Sequence, residues 1–302
     1  MDKDDKKGNA IYRESVFLKK RIVLLVLIVL ICIQGIVFAA ALETELVKIP
    51  LTVENKTFQL DAKIYKPVGE GPFPLLVINH GTPRLAEDRA KTNASVGYKN
   101  QCETFANLGF TVVFVVRRGF GSSEGEYVEN KVYADGTRNY TKSGLEAAKD
   151  ISATVEYMKT KQYVDSKRIV LLGQSTGGHS VIAAGALHID GVIGIVNFAG
   201  GRGSYAPDLV RDEKNLINSM AHYGKTSRVP TIWLYSVNDH YFGPSLAQAM
   251  VNVYVGNGGQ ARFISLPTSG IDGHSSFVHA RDNWYSHVVN FLSEIGAIKE
   301  SL

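Results

Sequence analysis

From about residue 44 onward, the sequence alternates between short apolar runs and longer segments in which apolar residues recur at helical spacing. The predicted strands cover residues 46–53, 57–65, 75–79, 111–116, 168–172, 192–198, 231–235 and 261–266. The predicted helices cover residues 97–108, 143–161, 176–187, 245–255 and 282–297. The first two strands alternate apolar and polar residues and are predicted to pair antiparallel, whereas the later runs are continuously apolar, as in buried parallel strands. This order predicts one α/β domain with a mostly parallel sheet covered by helices on both faces.

Composition removes several other classes of protein. Of the 302 residues, 45% are hydrophobic and 21% are charged, which excludes a disordered or fibrous chain. Two cysteines are too few for a disulfide scaffold or a Cys-rich zinc module. The formal net charge is +4, and the body of the sequence has no block of Lys and Arg interleaved with aromatic residues. Nucleic-acid binding is therefore not expected.

The N-terminus has the pattern of a membrane or export segment. Residues 1–21 contain seven Lys or Arg and four acidic residues, and residues 22–42 contain no charge. An uncharged run of this length spans roughly 31 Å as a helix, which is enough to cross the hydrocarbon core of a bilayer. Basic residues before the run, and Glu43 and Glu45 after it, predict a cytoplasmic N-terminus and an exported remainder.

Two interpretations of this segment stay open. The run is longer than the apolar core of an ordinary signal peptide, which favours an uncleaved signal anchor with the rest of the chain on the extracytoplasmic side of the membrane. However, Ala39-Ala40-Ala41 offers a small-residue cleavage site, and cleavage near Ala41 would release a secreted or periplasmic protein. In both cases residues 45–302 form the exported domain.

The most specific local motif is Gly173-Gln174-Ser175-Thr176-Gly177-Gly178, which joins a predicted strand to a predicted helix. The glycines at both ends leave room for a sharp turn that exposes the Ser175 hydroxyl above the edge of the sheet. The N-terminus of the following helix also favours developing negative charge. The motif predicts that Ser175 is a nucleophile, and the alternative is a purely structural glycine-rich turn.

A serine needs a base and an orienting acid to act as a nucleophile at neutral pH. On this kind of turn, the chain order is expected to be serine, acid, histidine. Asp239 is the predicted acid because it follows the strand 231–235, and parallel strands form sites at their carboxyl ends. His274 is the predicted base because it lies in the loop between the last strand and the last helix. The other candidates after Ser175 are less well placed, and they are Asp190, Asp208, Asp212, Glu213, Asp272, His240, His279 and His287.

The oxyanion of a tetrahedral intermediate also needs donors. The backbone N–H of Thr176, directly after the nucleophile, is one predicted donor. The second is expected from the loop Asn79-His80-Gly81-Thr82-Pro83, and the Thr82 N–H is chosen because proline has none. His80 itself is interpreted as orienting or packing this loop, and it is also a possible substrate-binding residue.

Two further side chains are candidates for binding substrate. Gln174 precedes the nucleophile, and Arg118 follows the strand 111–116 at the same edge of the sheet. Arg118 has two interpretations, because an arginine in a glycine-rich turn is more often held by a structural ion pair than by a substrate.

No motif indicates a cofactor or a metal. No G-x-G-x-x-G follows a predicted strand, and neither a P-loop nor an H-E-x-x-H motif is present in the sequence. The expected partner is therefore a small-molecule ester or amide substrate.

Taken together, the segments HGTP, RRGFGSSEG, DSKRIVLLGQSTGG, SVNDHYF and DGHSSF resemble the α/β-hydrolase superfamily over about residues 45–300. The similarity is to its dienelactone-hydrolase-like and serine esterase or peptidase-like branch. It implies an eight-stranded, mostly parallel sheet and a Ser-Asp-His triad that matches Ser175, Asp239 and His274. Dienelactone hydrolases have a cysteine nucleophile, so the serine makes a dienelactone substrate doubtful. Residues 199–230 are expected to form a small cap over the pocket.

The function expected from these residues is hydrolysis of carboxylic esters through an acyl-enzyme intermediate. A peptidase or amidase would use the same triad. A non-catalytic binding module on a membrane tether is the alternative from another class of protein, and the complete triad argues against it.

Overall fold

The computed structural model of the protein describes residues 42–299, and an eight-stranded sheet forms its centre. The strands of this sheet are β1 Leu42–Val53, β2 Lys56–Pro67, β3 Phe73–Asn79, β4 Thr111–Val115, β5 Val164–Gln174, β6 Val192–Phe198, β9 Thr231–Ser236 and β10 Ala261–Leu266. Their order across the sheet is β1-β2-β4-β3-β5-β6-β9-β10. Strand β2 is antiparallel to both of its neighbours, and the other pairs of neighbours are parallel. The predicted mostly parallel, eight-stranded sheet is confirmed.

Helices cover both faces of the sheet. They are α1 Lys99–Asn107, α2 Tyr140–Lys159, α3 Thr176–Gly185, α4 Glu213–Gly224, α5 Pro244–Gly256, α6 Ser276–His279 and α7 Arg281–Glu294. Helices α2 to α5 contribute to one buried cluster, and α1 and α7 contribute to the cluster on the other face. Within β3, Leu75 and Val77 belong to the first cluster, whereas Leu76 and Ile78 belong to the second. Strand β3 is therefore continuously apolar because both of its faces are buried.

Only part of the segment 199–230, which was predicted to form a cap, is free to cover the pocket. A short hairpin is formed by β7 Ser204–Ala206 and β8 Leu209–Val210. After it comes α4, whose Leu216, Met220 and Tyr223 are fully buried in the first core cluster. Because α4 belongs to the helical layer, only residues 199–212 are available to border the site. The sequence analysis assigned the residues of α4 to the cap, because apolar spacing alone does not say against which surface a helix packs.

Other differences from the prediction are local. Helix α2 begins at Tyr140 because the Asn139 side chain accepts a hydrogen bond from the Lys142 N–H at 2.9 Å, which caps the helix. A short 3₁₀ helix, Ala86–Lys91, lies in the long loop after β3, where no element was predicted.

The predicted membrane segment 22–42 lies outside the described residues except for Leu42. That residue begins β1, which starts three residues before the predicted domain boundary at 45. Among residues 42–299, no helix is both long and apolar enough to cross a membrane.

Candidate active site

The predicted nucleophile occupies a strained turn between β5 and α3. Ser175 has φ +58° and ψ −123°, a conformation that costs energy for a residue with a Cβ. A Cβ at Gly173 would collide with the backbone of Gly177, and a Cβ at Gly177 would collide with the carbonyl oxygen of Asn79. The glycine spacing seen in the sequence is therefore required by close backbone approach, and the turn leaves Ser175 at the carboxyl end of the sheet.

The predicted acid and base lie in contact at the same end of the sheet. Asp239 follows β9 and is 1% exposed. Its Oδ1 accepts hydrogen bonds from the backbone N–H groups of Tyr241 at 2.7 Å and Phe242 at 2.9 Å. Its Oδ2 accepts from His274 Nδ1 at 3.1 Å. This arrangement holds the carboxylate in one orientation and directs it at the imidazole.

Asp272, which the sequence analysis weighed as an alternative acid, holds the loop of the base. Its Oδ1 accepts the His274 N–H at 2.9 Å and the His240 N–H at 3.1 Å. His240 and Asp208, two other rejected candidates, contact each other through Nδ1 and Oδ1 at 3.0 Å and are solvent-exposed.

Ser175 lies between two cavities. The first, which we call the arginine cavity, has a volume of about 250 Å³ and is lined by Ser175, Thr176, Arg84, Arg138, Arg202 and Arg211 among others. The second, which we call the histidine cavity, has a volume of about 390 Å³ and is lined by Ser175, His274, Tyr98, Phe114 and Gln174 among others. Thr82, Pro83 and Tyr241 border both cavities. A molecule bound at Ser175 can therefore extend in two directions.

The loop after β3 lies against the first turn of α3. The hydroxyls of Thr82 and Thr176 are 2.7 Å apart, so the two residues expected to donate to an oxyanion are neighbours beside Ser175. The helix N-terminus at Thr176 adds a favourable dipole for negative charge.

His80 orients this loop. Its Nδ1 donates to the Gly81 carbonyl at 2.7 Å, and its Nε2 accepts the Arg117 N–H at 3.1 Å. Burial and the adjacent Arg117 charge lower the pKa of His80 to about 3. The ring is thus held as one neutral tautomer, because a second ring proton would face the Arg117 N–H.

Gln174 connects the serine turn to the loop of the base. Its Nε2 donates to the His274 carbonyl at 3.0 Å, and its Oε1 accepts from the Tyr98 hydroxyl at 2.7 Å. Because Gln174 also lines the histidine cavity, it both joins the two loops and faces the place where a ligand would lie.

Arg118, the other candidate for substrate binding, is not brought to the site. Its Nε and its backbone N–H donate to the two oxygens of Asp150, each at 2.7 Å, and it is only 3% exposed. It lines neither cavity at Ser175. Of its two interpretations, the structural ion pair is the one that the contacts support.

A buried ion network beside Ser175 was missed by the sequence analysis. Glu129 Oε1 accepts from Arg117 Nε at 2.5 Å, and Oε2 accepts from Arg202 Nη1 at 2.8 Å. Burial raises the pKa of Glu129, but the charges of the two arginines outweigh this and lower it to about 2. Arg202 Nη2 also donates to Ser180 Oγ at 2.7 Å, so the ion network is hydrogen-bonded to helix α3. No local signal could have found Glu129, which lies in an irregular polar segment.

The described residues contain no cluster of three or more His, Cys, Asp or Glu side chains that could bind a metal ion. Around Ser175, the described residues provide a serine hydroxyl, an imidazole oriented by a carboxylate, and backbone N–H donors at a helix N-terminus.

The family model described as serine aminopeptidase, S33, matches residues 91–221, which is less than half of the chain. This range includes Ser175 and ends before Asp239 and His274.

Solved structures share the fold over most of residues 42–299. Acylaminoacyl peptidase from Pyrococcus horikoshii is 20% identical with a TM-score of 0.64, and the alignment covers 86% of this chain but only 43% of the peptidase. Thermogutta terrifontis esterase 2, phosphorylated by paraoxon, is 16% identical with a TM-score of 0.58, covering 86% of this chain and 96% of the esterase. A Klebsiella pneumoniae protein described as a dienelactone hydrolase is 12% identical with a TM-score of 0.58, covering 85% and 99%. These three proteins are described as hydrolases, and this chain shares their fold.

Proposed function

We propose that this chain, which has the α/β-hydrolase fold and resembles the serine hydrolases of that superfamily, cleaves carboxylic esters through an acyl-enzyme intermediate on Ser175. The observation that carries the proposal is the buried hydrogen bond of 3.1 Å between Asp239 Oδ2 and His274 Nδ1, at a ring that lines the same cavity as Ser175. A carboxylate in this position fixes the tautomer of the imidazole and stabilises the imidazolium that forms during catalysis.

The steps follow from the roles of these groups. His274 Nε2 takes the proton of the Ser175 hydroxyl as its oxygen attacks the ester carbonyl, and a tetrahedral oxyanion forms. The intermediate collapses as the bond to the alcohol oxygen breaks, and His274 gives its proton to that oxygen. Water then repeats the sequence on the acyl-serine and releases the acid.

The backbone N–H groups of Thr176 and Thr82 are proposed to bind the oxyanion. The 2.7 Å contact between their hydroxyls supports this, since it holds the loop after β3 against the start of α3, next to Ser175. Preorganised donors of this kind typically contribute about 10²–10³ to kcat each.

The first test is covalent labelling. A fluorophosphonate probe is expected to label the wild-type protein and to leave Ser175→Ala unlabelled. The matched control is Ser265→Ala, which removes the hydroxyl of an exposed serine on β10. This variant should be labelled like the wild type. Labelling of the Ser175→Ala variant would refute the assignment of the nucleophile.

Amide or peptide cleavage is the second candidate, favoured by the family model for a serine aminopeptidase and by the peptidase among the solved structures. The same side chains serve both reactions, so rates decide between them. Turnover of p-nitrophenyl esters and aminoacyl anilides by one preparation is expected to favour the esters.

Export is proposed from the sequence of residues 1–42, as either an anchored or a released domain. Protease added to cells stripped of any outer membrane should digest the domain of an anchored protein, whereas a released protein should lack residues before about 42. A full-length protein protected from external protease would contradict export.

A further inference from the structure

The two cavities at Ser175 differ in charge. Four arginines line the arginine cavity, and Glu129 is the acidic residue among its lining side chains. Glu129 already pairs with Arg202, at 2.8 Å, and with the buried Arg117, at 2.5 Å. Two guanidinium groups on one carboxylate leave a net positive charge at the base of the cavity.

The other three arginines of this cavity have neutral partners. Arg84 Nη2 donates to a serine hydroxyl, Arg138 Nη1 donates to an asparagine amide, and the Arg211 guanidinium lies 5.6 Å from the ring of Tyr205. Within residues 42–299, none of these three side chains has a carboxylate oxygen within 4 Å. The Asp212 carboxylate accepts the Arg138 backbone N–H at 2.8 Å but pairs with none of these guanidinium groups. Among the described residues, the wall of the arginine cavity therefore offers guanidinium groups without an ion-pair partner, and such groups bind carboxylates through paired N–H donors.

The position of His274 assigns a side of the substrate to each cavity, and this step rests on the proposed function. The base that protonates the leaving alcohol must face the leaving oxygen. His274 lines the histidine cavity and not the arginine cavity. The alcohol therefore leaves through the histidine cavity, and the acyl group occupies the arginine cavity.

We propose that the substrates of this site are esters whose acyl group carries a terminal carboxylate, such as half esters of short dicarboxylic acids. The Ser175 oxygen forms the new acyl bond, the bond from the carbonyl carbon to the alcohol oxygen breaks, and the serine proton goes to that oxygen through His274. Hydrolysis of the acyl-serine by water releases a dicarboxylate. The acyl chain fits a cavity of about 250 Å³, with its carboxylate against the arginines.

The same charges argue against a free amino group on the acyl side, which an aminopeptidase substrate would have. An ammonium ion in the arginine cavity would need a free carboxylate as its partner. Glu129 is engaged by both arginines and is only 5% exposed, so it does not supply one.

The test uses three benzyl esters of equal chain length that differ in the far end of the acyl group. Monobenzyl adipate ends in a carboxylate, its monoamide ends in a neutral amide, and benzyl 6-aminohexanoate ends in an ammonium group. Release of benzyl alcohol is measured by chromatography. We expect kcat/KM to fall roughly tenfold from carboxylate to amide, the size of one charge-assisted hydrogen-bond pair, and to fall further for the ammonium ester.

Variants separate the contributions. Arg211→Gln is expected to reduce the preference for carboxylate over amide by roughly fivefold, because it removes one guanidinium from the cavity wall. The matched control is Arg262→Gln, which removes an exposed arginine that pairs with Glu294 on the far edge of the sheet. The control should keep the wild-type preference and rate.

The outcomes distinguish this inference from the proposed function. Equal turnover of the carboxylate and amide esters, or faster turnover of the ammonium ester, would overturn the inference. Loss of that turnover in Ser175→Ala would still support the proposed serine hydrolase. Absence of turnover together with absence of phosphonate labelling would overturn the proposed function, and the inference with it.

Discussion

The ring of Tyr241 stacks on the imidazole of His274, with centroids 3.9 Å apart and planes inclined by 9°. On its other face, the guanidinium of Arg84 lies 3.7 Å from the Tyr241 centroid. The backbone N–H of Tyr241 also donates to Asp239 Oδ1 at 2.7 Å. One residue thus orients both the carboxylate and the imidazole, and the sequence offered only its place two residues after Asp239 as a hint.

Replacing Tyr241 should act on kcat through the position of His274. Tyr241→Leu removes the stacked ring and is expected to lower kcat roughly tenfold, since small displacements of a catalytic group are costly, with a smaller change in KM. Tyr241→Phe keeps the ring and serves as the control, with kcat within about twofold of the wild type. Steady-state kinetics on a neutral ester measure both, and an unchanged kcat in the leucine variant would contradict the positioning role.

Replacing the acid should be far more severe. Asp239→Asn keeps an oxygen for the N–H groups of Tyr241 and Phe242 but presents no charge to His274. In a serine, histidine and aspartate triad such a change lowers kcat by about 10⁴, because the imidazole loses its productive tautomer and its counter-charge. We expect a loss of about 10³–10⁴ in kcat with the fold retained, measured by ester turnover and circular dichroism.

Asp272→Asn is the matched control for this experiment. Asp272 accepts only backbone N–H groups, those of His274 at 2.9 Å and of His240 at 3.1 Å, and an asparagine oxygen can still accept both. Its kcat should fall by no more than about tenfold. If the two variants lose activity equally, Asp239 has no special role as the orienting acid.

Much of the fold was predictable because its signals are local. The strands 192–198 and 261–266 have the bounds predicted from their apolar runs, and the turn at Ser175 follows from two glycines between a strand and a helix. The pairing of Asp239 with His274 followed from chain order, since loops that leave neighbouring parallel strands meet at one edge of the sheet.

The remainder depended on long-range contacts. Arg117 and Arg118 are adjacent in sequence, but side chains alternate at the end of a strand, so one joins Glu129 beside Ser175 and the other joins Asp150 in α2. Sequence alone did not say which arginine faced the site. Glu129 has no local pattern at all, because its position is decided by two arginines that only folding brings to it.

The glycines of the serine turn should be intolerant of any side chain. Gly177→Ala places a Cβ against the backbone carbonyl oxygens of Asn79 and His80, and backbone atoms cannot move aside as the end of a flexible side chain can. We expect a loss of about 3 kcal/mol in the free energy of unfolding, typical of overpacking at a rigid site. Gly256→Ala is the control, since a Cβ there meets nothing within 4 Å, and its stability should change by less than about 1 kcal/mol. Urea denaturation measures both, and equal midpoints would contradict the close approach at the turn.

The neutral state of His80 predicts a defined dependence of stability on pH. Its pKa falls from 6.5 to about 3 on folding, through burial and the Arg117 charge, so between these values the unfolded chain binds a proton that the folded protein does not. This group therefore favours unfolding as the pH falls below about 6.5, and it removes about 2 kcal/mol of stability between about pH 7 and about pH 5.

His80→Gln eliminates that contribution while keeping a side chain that can donate and accept. Between about pH 7 and about pH 5, the free energy of unfolding of the variant is expected to fall by about 2 kcal/mol less than that of the wild type. This difference does not depend on the stability of the variant at neutral pH. His179 offers an independent repeat, because burial and the Arg202 charge also lower its pKa well below the usual value, and its Nδ1 accepts from Arg202 Nε at 3.0 Å. Urea denaturation of the wild type, His80→Gln and His179→Gln at the two pH values decides the matter. Parallel changes in all three proteins would mean that neither imidazole is held neutral.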